Sequence, residues 1–558
     1  MQTPYETGNQ NQTATWAACI SFFEALASRY PAVLHFSQLG VSDAGVPLHV
    51  GVVSADGVFD SAAIRAAGRP VFFNNNGIHP GEPEGIDACM ALVRDLCVNR
   101  DALAALGNTV YLFIPIYNVE GALMRGDKSR VNQEGPEAFG FRGNSQHLDL
   151  NRDFIKCDSL NARRFNELFA AWDPDVMVDT HTSNGADYAY TMTLIHTQPD
   201  KLGSELGPFL RQTMLPAVYA GMQARGWPTC PYVNPVGESP DGGIADFLEV
   251  PRFSTGYAAL NHTIGFMPET HMLKPFCDRY ESMRALLDVT LAFTVTHAAT
   301  IQALRRDARK QYQASAGWPV HWAMDSTRVS SFRFQGYEAT HAPSRIGRYQ
   351  RLAYDRSRPW ERDIPYYDNF VADATVTAPQ AYVVPASWRE VIDRLALNGV
   401  VMTRVDDTRA VQARVYRIES LETRAGPYEG RMFHDAVTLE TSVENVSLSP
   451  GDMWIPVQQD KIRYVVETLE PQAHDSFFRW GFFNGILERK GHFSDYVFED
   501  MAEQLLADEP ALRVSFDRWV AANPEAQTDQ QRVLSFIFEN CERFAEHGWW
   551  RYPVLAIL

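Results

Sequence analysis

Four short apolar runs constrain the first half of this chain more than any other feature. VFFNNN (71–76), TVYLFIPIYN (109–118), DVMVDTH (175–181) and the segment around IGFMPETH (264–271) each read as a buried strand. Stretches with helical spacing lie around and between them. TWAACISFFEALASRY precedes the first, EGIDACMALVRDLC follows it, and the long FCDRYESMRALLDVTLAFTVTHAATIQALRRDARKQY closes the series. Strands alternating with helices predict an α/β layered fold with a largely parallel sheet. Residues 225–262, with PVGESPDGG, are rich in Gly and Pro and read as a loop-rich excursion of the kind that often covers a site.

The texture changes after about residue 305. Short alternating segments such as VSSFRFQGYEA and RVYRIESLETR dominate up to about 460, broken by one strand–helix–strand pattern, QAYVVPASWREVIDRLALNGVVMTRV. Beyond 460 the chain is aromatic-rich and reads as helical, as in DSFFRWGFFNGILERK and FSDYVFEDMAEQLLAD. At 558 residues the chain is too long for one ordinary core. Three parts are expected: 1–305 α/β, 306–460 β-rich and 461–558 helical. With 45% hydrophobic and 21% charged residues the chain has the composition of a globular protein.

The formal net charge of −18 argues against a nucleic-acid partner, which calls for a basic face. No apolar run reaches the ~18 residues of a membrane-spanning helix. The start, MQTPYETGNQNQTATW, lacks the basic-then-apolar pattern of a signal peptide. A cytoplasmic protein is expected, or a periplasmic or secreted one if a signal was removed earlier. The seven cysteines, Cys19, Cys89, Cys97, Cys157, Cys230, Cys277 and Cys541, form no C-x-x-C pair, so neither a disulfide scaffold nor a cysteine metal site is expected.

Chemistry-bearing residues cluster where the apolar runs end. In VFFNNNGIHPGEPEG, His79 and Glu82 stand three apart in a Gly/Pro loop after a strand. Zinc takes imidazole nitrogen and carboxylate oxygen at about 2 Å, and its catalytic sites usually have three protein ligands plus water. H-x-x-E alone is common by chance, and a loop histidine is more often merely solvated. In DVMVDTHTSNG a second apolar strand runs into His181, which by itself is more often a satisfied strand-end histidine. Together the three supply the donor set of a hydrolytic zinc site. FRGNSQHLDLNRDF holds Arg142, Asp149, Asn151 and Arg152, and in IGFMPETHMLKP Glu269 closes the last apolar run. Sites in open α/β sheets lie beyond the carboxyl ends of the strands, where these residues fall.

The order H-x-x-E, D-x-N-R, strand-end His and strand-end Glu resembles the zinc carboxypeptidases of the M14 type over about residues 15–300. The resemblance implies an α/β/α layered domain with a mostly parallel mixed sheet. It also implies one zinc ion per chain held by His79, Glu82 and His181. Asp149 would orient His79, and Asn151 and Arg152 would hold the substrate's free carboxylate. Arg142 would sit by the scissile carbonyl oxygen and Glu269 would be the general base. Tyr257, in STGYAALNH, would match the family's mobile substrate-capping tyrosine, although it lies nearer to Glu269 than the family pattern places it.

The implied activity is hydrolysis of the C-terminal amide bond of a peptide or peptide-like substrate by a zinc-bound water that Glu269 activates. The succinylglutamate desuccinylase and aspartoacylase group is similar in fold and motif, and on that likeness the chain would be an N-acyl amino acid amidohydrolase. The H-P-G-E form and the loop-rich insert favour the carboxypeptidase. A binding protein on a dead enzyme scaffold would require a lost ligand or base, and none is lost. The second half has no counterpart in a minimal carboxypeptidase; recognition of a polymer and formation of a homo-oligomer are both open to it.

Overall fold

The structure is a computed structural model that describes residues 1–546 and 548–558. Its N-terminal half is built on strands β1 (Leu34–Val41), β2 (Pro47–Val53), β3 (Val71–Asn75), β4 (Val110–Ile114), β5 (Val176–Asp179), β6 (His181–Ser183), β7 (Met192–His196), β8 (Thr229–Pro231), β9 (Ile244–Ala245) and β10 (Ile264–His271). All but β9 share one sheet of order β1-β2-β4-β3-β5-β10-β7-β8, with β6 paired to β10 beyond the end of β5. The centre, β4-β3-β5-β10, is parallel, while β2 against β4 and β7 against β10 are antiparallel. Every residue of β3, β4, β5 and β10 is buried. Parallel strands with helices on both faces have no wet side, which is why they read as unbroken apolar runs.

The connections decide where a site can form. From β3 the chain passes through the helix Glu84–Val98 to β4 on one side, then returns through the helix Leu160–Trp172 to β5 on the other side of β3. Right-handed crossovers in opposite directions put the two helices on opposite faces. The reversal leaves a crevice between the carboxyl ends of β3 and β5. Two glycines shape the chain leaving β3. Gly77 adopts φ +64°, and a Cβ at Gly85 would fall 1.9 Å from Thr180 Oγ1, so the helix starting at Glu84 abuts the end of β5.

The helix Phe276–Ala314 runs straight through the boundary expected at 305. Arg305 is buried there, pairing with Asp173 and Asp175, and Arg309 also pairs with Asp173. The β-rich region begins after it with β11 (Gly317–Met324), β12 (Ser330–Pro343), β13 (Gln350–Tyr367) and β14 (Phe370–Thr377). The long β12–β13 hairpin pairs with β9 and packs Phe334, Ile364 and Tyr366 on Tyr188 and Tyr190. A second sheet follows, from β15 (Ala381–Val384), β16 (Thr403–Arg404), β17 (Arg409–Thr423), β18 (His434–Leu448), β19 (Met453–Pro456) and β20 (Leu555–Ile557), in the order β16-β19-β15-β20-β17-β18.

Neither expected boundary coincides with a break in packing. The last strand, β20, inserts between β15 and β17, and one hydrophobic cluster takes in residues from Tyr5 to Ala556. A smaller cluster from Phe498 to Cys541 belongs to three helices of the C-terminal region, Asp495–Asp508, Pro510–Ala522 and Gln530–Asn540. DSFFRWGFFNGILERK, expected to be helical, is mostly turns with a short 3₁₀ segment, Asn484–Leu487. Its Phe477, Phe478, Trp480 and Phe483 are buried, and Gly481 at φ +74° interrupts any helix there. All seven cysteines are free thiols, and no helix among the described residues is long and apolar enough to cross a membrane.

Candidate metal centre

The crevice between β3 and β5 brings three donors together. His79 and Glu82 come from the loop after β3, and His181 opens β6; each is 2% exposed. One donor atom from each lies within 4.8 Å of the others. His79 Nε2 meets Asp149 Oδ1 at 2.8 Å, and His181 Nε2 meets Asp179 Oδ2 at 3.0 Å. A carboxylate on the far nitrogen keeps the proton there, so both Nδ1 lone pairs are left for the centre. His79 Nδ1 is buried and has no hydrogen-bond partner, at 3.3 Å from Glu82 Oε1. His181 Nδ1 is 3.2 Å from Glu82 Oε2. Two imidazoles and a carboxylate, with an orphaned inward nitrogen, are what a zinc site of the catalytic kind requires.

Glu82 is held from several sides. Oε1 accepts from Arg130 Nη1 at 2.6 Å and Arg142 Nη1 at 3.4 Å, while Oε2 accepts from the Thr182 N–H at 2.9 Å. Burial works against its charge, but Arg130 and the two histidines overcome it and hold the carboxyl well below its usual range. Asp149 is likewise held low against burial by His79, Arg142 and Arg152. Glu269 behaves in the opposite way. It lies on β10 in register with His181 of β6, so both side chains leave the same face of the sheet. Burial pushes its carboxyl up to about 8, with His181 pulling down and Glu82 pushing up.

The remaining residues line one cavity of about 550 Å³, which includes His79, Glu82, His181, Glu269, Arg142, Asn151 and Arg152. Arg142 is half-exposed and grips Asp149 Oδ2 with Nε at 3.0 Å and Nη2 at 2.9 Å. Asn151 Oδ1 accepts from the Ser254 N–H at 3.2 Å, and the Arg152 guanidinium lies 4.4 Å over the Phe253 ring.

Residues 19–184 match the model of the zinc carboxypeptidase family. Over that segment the chain is similar to the family. The likeness indicates a zinc metallopeptidase, and the match spans the His79–Glu82 loop, the Asp149–Arg152 turn and His181. Carboxypeptidase 2 of Trichophyton rubrum is 23% identical over 438 residues, covering 73% of this chain and 72% of its own length. Carboxypeptidase 2 of Trichophyton equinum is 22% identical over 430 residues, with the same coverage. Among solved structures, a metallo-carboxypeptidase from Burkholderia cenocepacia aligns at 15% identity and a TM-score of 0.38, over 51% of this chain and 70% of that one.

One expected residue is not at the site. Tyr257 is 1% exposed in the helix Ser254–Leu260, packed on Phe154, Phe165 and Phe169. Its hydroxyl donates to Asn398 Oδ1 at 2.6 Å. A capping role would require it to leave the core, so that expectation is corrected: the tyrosine that lines the cavity is Tyr232. Asp179 and Arg130 escaped the sequence reading. Asp179 stands two residues before His181, the spacing that puts strand side chains on one face, and this signal was available. Arg130 sits in the polar stretch RGDKSRVN, where nothing distinguishes it.

Proposed function

We propose that this enzyme removes the C-terminal residue of a peptide, with His79, Glu82 and His181 holding one zinc ion and Glu269 moving the proton. The observation that carries the reading is that a single cavity is lined by the three-donor cluster, by the buried Glu269 carboxyl with its raised affinity for protons, and by Arg152. When bound, zinc supplies Lewis acidity: it lowers the pKa of a coordinated water to about 7 and polarises a carbonyl oxygen.

This chain's own residues do the rest. Arg152 pairs with the terminal carboxylate of the substrate, its plane fixed by the Phe253 ring. Asn151, whose Oδ1 is taken by the Ser254 N–H, keeps Nδ2 for the same carboxylate. That grip sets the last amide beside the metal cluster. Glu269 accepts a proton from the attacking water and returns it to the leaving nitrogen. Arg142, with Arg130 beside it on Glu82 Oε1, would face the carbonyl oxygen as negative charge develops. Both are held in place: Asp149 takes two nitrogens of Arg142, and Gln133 and the Thr182 carbonyl take two of Arg130.

Two peptides that differ only in a free or an amidated C-terminus test the reading. The free acid is expected to be cleaved and the amide largely ignored, since the amide leaves Arg152 without its partner. Arg152→Ala should narrow the difference by depressing the free-acid reaction, and Arg152→Lys should rescue poorly. Equal cleavage of both peptides would point to an endopeptidase. A collapse of activity on lengthening the substrate from two residues to five would favour an N-acyl amino acid hydrolase instead.

A further inference from the structure

Part of the cavity wall is apolar and, apart from Phe253 beneath Arg152, takes no part in the proposed chemistry. It consists of Ile195, Tyr232, Phe247, Phe253 and Met267, with one acidic residue among them, Glu249. Glu249 is 6% exposed. Among the described residues one hydrogen bond reaches its carboxylate, from Thr255 Oγ1 to Oε2, and no side-chain cation lies within ion-pair distance. Oε1 is left without a partner in a wall of apolar and aromatic side chains. Burial accordingly raises the carboxyl to about 7, against the Thr255 hydrogen bond and the more distant charge of Arg152. A carboxylate kept in such surroundings costs stability unless a cation joins it.

The backbone holds this group in place. Glu249 sits in the left-handed region at φ +48°, unusual for a residue with a side chain, and its carbonyl accepts from Lys201 Nζ at 3.5 Å. A Cβ at Gly256 would fall 2.6 Å from Glu249 O, so the turn at 249 is pressed against the start of the helix Ser254–Leu260. Thr255 and Phe253 come from that same join. The segment therefore fixes the Phe253 ring, on which Arg152 lies, and the Glu249 carboxylate as one unit.

We propose that Glu249 sets the specificity of this site, and that the residue it releases is basic. A lysine or arginine side chain has methylenes to lay along Ile195, Phe247, Phe253 and Met267 and a cationic tip to pair with Glu249 Oε1. This inference rests on the exopeptidase reading, in which Arg152 holds the terminal carboxylate. The bound residue then carries a negative charge at Arg152 and a positive charge at Glu249, each neutralised by the wall it faces. A leucine or phenylalanine would leave the carboxylate unpaired, and an acidic residue would place two like charges together.

The test uses the zinc-loaded full chain and blocked peptides that differ only in the last residue: Arg, Lys, Leu or Glu. The Arg and Lys peptides are expected to exceed the Leu peptide in kcat/KM by at least about tenfold, with the Glu peptide poorest. Glu249→Gln keeps the shape and the Thr255 contact, and is expected to lower the Arg-to-Leu ratio by about tenfold or more, mainly through KM. A wild-type ratio near one, or a ratio that Glu249→Gln does not move, overturns the proposal and leaves the exopeptidase reading standing. Calorimetry with free L-arginine and L-leucine reads the same preference without turnover. Arginine binding at least tenfold tighter, and losing that margin in Glu249→Gln, supports the basic pocket even if no free-acid peptide is cleaved, in which case it is the exopeptidase reading that fails. Equal binding of the two amino acids overturns the pocket.

Discussion

Replacing Asp179 with asparagine probes the metal centre through a residue that never touches the ion. Asp179 is fully buried, accepts from Asn75 Nδ2 at 2.9 Å with Oδ1, and meets His181 Nε2 at 3.0 Å with Oδ2. An asparagine offers one acceptor to these two donors. If its oxygen stays with Asn75, its amide nitrogen faces His181 Nε2 and drives the imidazole proton to Nδ1, the atom turned toward Glu82. If its oxygen turns to His181, two buried amide nitrogens oppose each other at Asn75, at a cost of about 1–3 kcal/mol. The first outcome weakens zinc binding and the second weakens the fold. Loss of a hydrogen-bond partner behind a ligating histidine typically costs about 10–100-fold in metal affinity. Titrating the metal-free Asp179→Asn protein with zinc against a chromophoric chelator, beside a thermal melt, separates the two. Affinity within about twofold of wild type with an unchanged melt would refute the tautomer argument and with it the assignment of His181 Nδ1 as the inward donor.

Glu269→Gln is expected to lower turnover by about 10² to 10⁴ while zinc content stays at the wild-type level; near-normal turnover would end its role as the base. Asp173 is held below the usual carboxylate range by Arg305 and Arg309, which overcome its burial. Its contribution to stability is therefore complete above the unfolded pKa of about 3.9 and is lost as pH falls through the lower folded value. Asp173→Asn should cost about 3 kcal/mol at neutral pH, and the gap to wild type in denaturant melts should close progressively below about pH 4; a gap independent of pH would contradict the pairing. We propose that the main body runs through residue 487 and includes β20, with the helices between 495 and 541 as an appendage. Limited proteolysis should then cut first near 488–494 or 523–529, and a first cut within 305–325 would favour separate halves instead.

The parts of the site that were legible in the sequence are those where an apolar run meets a polar residue. β3, β5 and β10 are buried throughout, so their ends are marked by the residues that stop being apolar, and His79, His181 and Glu269 stand at or just past those ends. Asp179, two residues before His181, is legible only as a carboxylate on the same face of its strand; that it holds the far nitrogen of His181 comes from the packing. The place of Tyr257 is not legible, because a tyrosine near Glu269 reads alike whether its ring faces a cavity or the aromatic packing around Phe165 and Phe169. Glu249 could not be singled out at all: its importance lies in being buried with one partner, a property of packing.

The same limit holds for the second half. The strand–helix–strand pattern of residues 380–405 was visible in its periodicity. The insertion of Leu555–Ile557 between strands more than a hundred residues earlier was not, since no local signal encodes so distant a pairing. Nor does local sequence reveal that this half reaches the site. Glu429, from the connection between β17 and β18, accepts the Asp149 N–H at 2.8 Å and so supports the residue behind His79.

Metal content read side by side in three proteins tests the central claim most directly. Wild type, His79→Ala and His181→Ala are to be loaded with zinc, freed of excess and measured by elemental analysis, with circular dichroism confirming that each is folded. The account predicts about one zinc per chain in wild type and a loss of most of it in both variants. One zinc retained in both folded variants, or none bound by wild type, would contradict it.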